Sequence, residues 1–98
     1  MDPATGAMSA GAIADQTRTV LGHIGALLAS AGLGYSDVVR TTVFLADLSD
    51  FGAMNDVYET FFAPPYPARS TIQAARLPRD ARIEIDAIAM YSTARAKD

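Results

Sequence analysis

About a fifth of this 98-residue chain is committed to one amphipathic helix, which limits what the rest can be. From Ala12 to Ala31 the apolar residues Ile13, Val20, Leu21, Ile24, Leu27, Leu28 and Ala31 recur at spacings of three and four. Asp15, Gln16, Arg18 and Thr19 fall on the wet side. A helix striped this way must lay its apolar side on another layer. Gly32 supplies the left-handed residue that ends a helix, and Leu33 follows to fold back. Gly22 and Gly25 each cost about 1 kcal/mol against alanine inside a helix. Their presence predicts that the helix lies close against a sheet.

The remaining segments supply that sheet. Val38 to Leu45 (VVRTTVFL) is β-branched and aromatic, hence a strand. Asp47 or Ser49 can cap a second helix, with Asp50 in its first turn. Phe51, Met54, Tyr58 and Phe61 form one apolar face of that helix, widened by Val57, and read as core. Pro64-Pro65-Tyr66-Pro67 ends it and forces an extended approach to the next segment. Arg69 to Arg76 and Arg82 to Tyr91 are two more strands. The short Leu77-Pro78-Arg79-Asp80 linker predicts that they form an antiparallel hairpin. In the last strand Ile83, Ile85, Ala87 and Ala89 alternate with Glu84, Asp86, Ile88 and Met90. The expected fold is α+β, a mixed β-sheet with two helices packed on one face, as a single domain over 1–98. Residues 1–11 read as turn and loop, with Asp2-Pro3-Ala4-Thr5-Gly6 as the turn, and 92–98 as a fraying tail.

Composition removes several classes of function. Half the residues are apolar and 19% are charged, which is the balance of a globular chain. A domain this small hides only ~65% of its unfolded surface, so an oligomer would help it. The net charge of −3 and pI near 4.9 argue against binding nucleic acid by neutralising phosphates. Without cysteine there is no disulfide, thiolate nucleophile or thiolate metal ligand. The lone histidine, His23, does not make a transition-metal site, and a packed or half-exposed structural role is expected. No run approaches the ~18 apolar residues of a membrane span. Met1-Asp2-Pro3 does not read as a signal peptide, so the cytoplasm is the expected location.

The last two strands hold the candidate chemistry. Arg69, Thr71 and Gln73 share one face of their strand, and Glu84 and Asp86 share one face of the next. A guanidinium offers a planar fork to a carboxylate, and a nearby glutamate can position or deprotonate a water. Together they would suit hydrolysis of a small carboxylic acid. Antiparallel strands also pair Arg with Glu as a simple ion pair, and spacing alone favours that reading. Glu84 and Asp86 lie about 6.6–7 Å apart by the strand repeat, but no sugar-binding aromatics accompany them. Asn55, beside the apolar stripe of the second helix, reads from pattern alone as a surface residue.

A longer pattern adds to this. Pro67-Ala68-Arg69-Ser70, continued by Ala75-Arg76-Leu77-Pro78-Arg79-Asp80-Ala81-Arg82-Ile83-Glu84-Ile85-Asp86-Ala87-Ile88-Ala89, closely resembles the C-terminal signature of the RidA (YjgF, reactive intermediate deaminase) family. Asp37 to Leu45, Asp47 to Phe51, and Asn55, Tyr58, Phe61 and Phe62 resemble its central strand and second helix. The resemblance implies a chorismate-mutase-like α+β fold and hydrolysis of 2-imino acids such as 2-iminobutanoate and 2-iminopropanoate to 2-oxo acids and ammonia. It implies no cofactor, and a homotrimer with sites between subunits. By position, Arg69 would hold the substrate carboxylate, Glu84 would orient the attacking water as the catalytic residue, and Asn55 and Thr71 would line the site. Thr71 stands where several members carry cysteine. The family's N-terminal strand pair, with its Tyr and Ser, has no counterpart here, so this chain made alone is expected to be weakly active or inactive and to aggregate or mis-assemble. Two other functions stay open: a non-catalytic binder of small carboxylates, and an RNA-cleaving activity, which the acidic pI disfavours.

Overall fold

In the computed structural model, which describes residues 10–91, the strand Val38–Leu45 (β1) is the centre of the sheet. It is preceded by α1 (Ala10–Ser30) and followed by α2 (Phe51–Tyr58), β2 (Ala68–Gln73) and β3 (Ile83–Ala89). The strand order is β2-β1-β3, with β2 parallel and β3 antiparallel to β1. Both helices cover one face, so the expected α+β architecture with a mixed sheet holds. The turn expected at Asp2–Gly6 and the tail from Ser92 lie outside the described residues.

The expected hairpin does not form. The strands carrying Arg69 and Glu84 flank β1 and do not pair with each other. Two physical reasons account for this. Residues 46–67 contain a helix, and a strand-helix-strand unit delivers its second strand parallel to the first. The strand after Arg69 also stops at Gln73, so the connection to β3 is residues 74–82, longer than the four-residue linker. That connection crosses the end of β1. Ala74 donates its N–H to the Leu45 carbonyl (2.9 Å), and Ala46 donates to the Arg82 carbonyl (3.0 Å).

Alternation then sorts the side chains. Thr41, Val43 and Leu45 of β1 and Ile83 and Ile85 of β3 are buried beneath the helices. There they meet Ile13, Leu21 and Leu28 of α1 and Met54 and Tyr58 of α2. On the other face Ile72, Glu84, Asp86 and Ile88 are exposed. At one end of the layers Arg82 Nη2 donates to both carboxylate oxygens of Asp50 (2.8 and 2.9 Å), a half-hidden tether between the start of α2 and the start of β3.

The first helix departs from expectation in two places. Leu27, placed in the apolar stripe, is 70% exposed. His23 lies on the exposed side of the helix. Gly22 meets nothing near its would-be Cβ, whereas a Cβ on Gly25 would collide with the Tyr35 ring. The close approach is therefore to Tyr35, whose hydroxyl donates to the Leu21 carbonyl (2.6 Å), and not to the sheet. The stop at Gly32 is as read: its φ is 78°, and Leu33 donates back to the Leu28 carbonyl at 2.8 Å.

Candidate functional site

An open cavity of about 610 Å³ lies where the end of α2 meets the start of β2. Its wall comprises Asn55, Tyr58 and Glu59 at the end of the helix, Tyr66 and Pro67 of the proline segment, and Arg69 of β2. The local sequence explains the placement. Residues 51, 55, 58 and 59 are spaced to share one face of a helix, and the prolines carry the chain from that face into β2. In the parallel register Arg69 sits opposite Thr41, on the helix-covered face of the sheet.

Arg69 is surrounded on that face. Its guanidinium carbon lies 4.7 Å from the Tyr58 ring centroid and 5.3 Å from that of Phe51. Aromatic faces attract a cation at this range, and the gain grows as water is excluded. Nη1 donates to Asn55 Oδ1, and Asn55 Nδ2 donates to Glu59 Oε2 at 3.0 Å. Behind the ring, the Tyr58 hydroxyl shares a hydrogen bond of 2.7 Å with buried Thr41 Oγ1. The result is a guanidinium fixed from two sides beside a cavity that a small anion can enter. A carboxylate there would find a planar, permanently charged donor fork already oriented.

The other predicted residues divide. Asn55, read from pattern alone as a surface residue, is half-buried and lines the open cavity beside Arg69. Thr71 is half-buried on the same face of β2, beyond the cavity lining. Gln73, which shares that face, accepts the Leu48 N–H at 2.8 Å and ties a turn to the strand. Glu84 and Asp86 are exposed on the opposite face, in register with Phe44 and Thr42. The fold of one chain therefore brings Arg69 and Asn55 together and keeps Glu84 apart from them, and the expected Arg69–Glu84 pair is absent among the described residues. Pattern reading missed Phe51 and Tyr58 as neighbours of Arg69, because it counted both as core. Phe51 is 37% exposed and faces Arg69. Glu59 was missed too, although it stands four residues after Asn55, a spacing that pairs side chains on a helix.

Residues 1–91 match the family described as Endoribonuclease L-PSP. The chain is 44% identical over 90 residues to the 2-iminobutanoate/2-iminopropanoate deaminase of Rattus norvegicus, covering 92% of this chain and 66% of the rat protein. It is 48% identical over 87 residues to Reactive Intermediate Deaminase A, chloroplastic, of Arabidopsis thaliana, covering 89% of this chain and 46% of that protein. Among solved structures, E. coli TdcF with bound serine superposes with a TM-score of 0.78 at 45% identity, over 82% of this chain and 65% of that one. The YjgF gene product from E. coli gives a TM-score of 0.78 at 46% identity, with the same shares covered. The chain thus spans about two thirds of the rat and E. coli proteins it resembles.

Proposed function

This chain belongs to the RidA/YjgF family, described as Endoribonuclease L-PSP, and on that premise we propose that it hydrolyses 2-imino acids to 2-oxo acids and ammonia. The observation that carries the reading is Arg69, held over the rings of Phe51 and Tyr58 with Asn55 on its fork, at the edge of a cavity of small-molecule size. A 2-imino acid offers a carboxylate next to an electrophilic C=N carbon. With the carboxylate on Arg69, the carbon is fixed, and catalysis needs a positioned water and little else. The water oxygen bonds to C2 while its protons pass to nitrogen by way of a carboxylate base. Collapse of the adduct then expels ammonia and leaves the 2-oxo acid.

Glu84 is our candidate for that base, with Thr71 as a further substrate neighbour on β2. Because Glu84 lies on the opposite face from Arg69, the proposal places it in a second copy of the chain. In a homotrimer each site would combine Arg69 and Asn55 of one subunit with Glu84 of the next. The exposed Ile72 and Ile88 suit such an interface. No helix among the described residues is long and apolar enough to cross a membrane, and the cytoplasm is the proposed location.

A second reading, small-carboxylate binding without turnover, is favoured by one observation: a single chain completes the grip without the base. The relative solved with bound serine, itself a carboxylate, is compatible with both. Ammonia release from freshly generated 2-iminobutanoate separates them. Turnover above the spontaneous rate supports the deaminase. Binding of 2-oxobutanoate with no added ammonia release supports the binder.

A further inference from the structure

Glu59 lines the cavity and takes no part in the chemistry proposed above. Its geometry gives it a different task. A guanidinium can only donate, so Asn55 must present its amide oxygen to Arg69. The Asn55 NH₂ then points the other way and needs an acceptor. The Glu59 carboxylate, one helical turn on, accepts it at 3.0 Å. An asparagine amide has two orientations related by a half-turn, and only one of them offers oxygen to Arg69. Glu59 favours that one and disfavours the other, in which a carboxylate would face a carbonyl oxygen.

We propose that Glu59 is a positioning residue which, through Asn55, fixes the direction in which Arg69 presents its fork to the substrate carboxylate. The side chain is exposed, so its hydrogen bond contributes little to folding. What it determines is orientation. The inference rests on the proposed deaminase function for its kinetic consequence and on the structure alone for the Arg69 geometry, so the two are tested separately.

The test compares Glu59→Ala and Glu59→Gln in the whole 98-residue chain. With 2-iminobutanoate, Glu59→Ala should raise KM about two- to tenfold, the effect of one modest hydrogen bond, with kcat held within about twofold. Glu59→Gln keeps an acceptor oxygen and should restore the KM. Tm should not move in either. Independently of activity, the Arg69 Nε–H resonance should broaden in Glu59→Ala and stay sharp in Glu59→Gln. An unchanged resonance and KM in Glu59→Ala, in a wild type that deaminates, overturns the positioning role and leaves the function standing. A fall in kcat that glutamine does not rescue also overturns it, since Glu59 would then act on the reaction itself. A resonance that responds as described in a wild type without deaminase activity supports the positioning role and refutes the function.

Discussion

Arg69 and Glu84 occupy the strands on either side of β1, yet they stand on opposite faces of one sheet, and the two faces are finished to different degrees. On the helix side, Arg69 is enclosed by Phe51, Tyr58 and Asn55 of the same chain, and Thr41 holds Tyr58 from behind. On the bare side, Glu84 and Asp86 are exposed between apolar neighbours such as Ile88, with no helix over them among the described residues. A cation that must grip a carboxylate gains from being fixed before the ligand arrives. The division is the one expected if recognition is built within a subunit and reactivity is completed by assembly.

The largest effect should come from breaking the finished side. Arg69→Ala should lower kcat/KM for 2-iminobutanoate about a thousandfold, the loss of two charge-assisted hydrogen bonds, with the circular dichroism spectrum unchanged. Arg69→Lys should recover little of it, because an ammonium is not a fork. Activity of the alanine variant near wild type would show that the enclosure of Arg69 is only packing.

The next test joins the two sides. Glu84→Gln should lower kcat about a hundredfold while KM changes little, since the amide keeps the shape and loses the base. Arg69→Ala and Glu84→Gln chains, each strongly impaired alone, should regain activity when mixed in equal amounts and reassembled. In a symmetric ring about a quarter of the sites would then hold both intact residues. No recovery on mixing, in a mixed assembly verified by mass spectrometry, would mean that the two faces do not meet between copies.

Smaller effects probe how the helix layer is tethered to the sheet. Asp50→Ala removes both hydrogen bonds to Arg82, whose side chain is 15% exposed. Arg82 keeps further contacts, so a loss of about 2 kcal/mol is expected, a fall in Tm on the order of 10 °C by calorimetry. Asp47, at the same end but exposed, should matter least. The Ser49 backbone N–H, the Ser49 hydroxyl and nearby Arg82 hold its carboxyl below the usual carboxylate range. A depressed folded pKa stabilises fully above the unfolded value and is lost as pH falls through the folded one. The small Tm deficit of Asp47→Asn should therefore be present at neutral pH and vanish in acid.

The elements were legible wherever period and punctuation agreed. The Ile83–Ala89 alternation, the VVRTTVFL strand and the Gly32 stop each follow from local residues, and each is found. Pairing was not legible from linker length. The linker Leu77–Asp80 looked short because Ala74–Arg76 were counted as strand, while the helix between β1 and β2 already implied a parallel neighbour. Within the site, Arg69 was singled out by its chemistry, but its enclosure was hidden by a rule that assigns every aromatic stripe to the core. Phe51 and Tyr58 belong to that stripe, yet both rings lie against Arg69, and Tyr58 also lines the cavity. Asn55 was placed in the site by family likeness before its contacts gave the reason. Glu84 was assigned a partner on its own chain, although that partner faces the other way. A period-two pattern says which residues share a face; which way a neighbouring strand turns its faces depends on topology.

One consequence of the β2-β1-β3 order concerns how long each strand keeps its amide protons. β1 is bonded along both edges, so exchanging its protons requires opening the sheet itself. Among the described residues β2 and β3 are each bonded to β1 alone, so either can part from the sheet without opening it through the centre. The strand that carries Arg69 is thus released more readily than β1. A carboxylate bound on Arg69 would tie that strand to α2 through Asn55, so occupancy of the site and protection of this edge strand rise together.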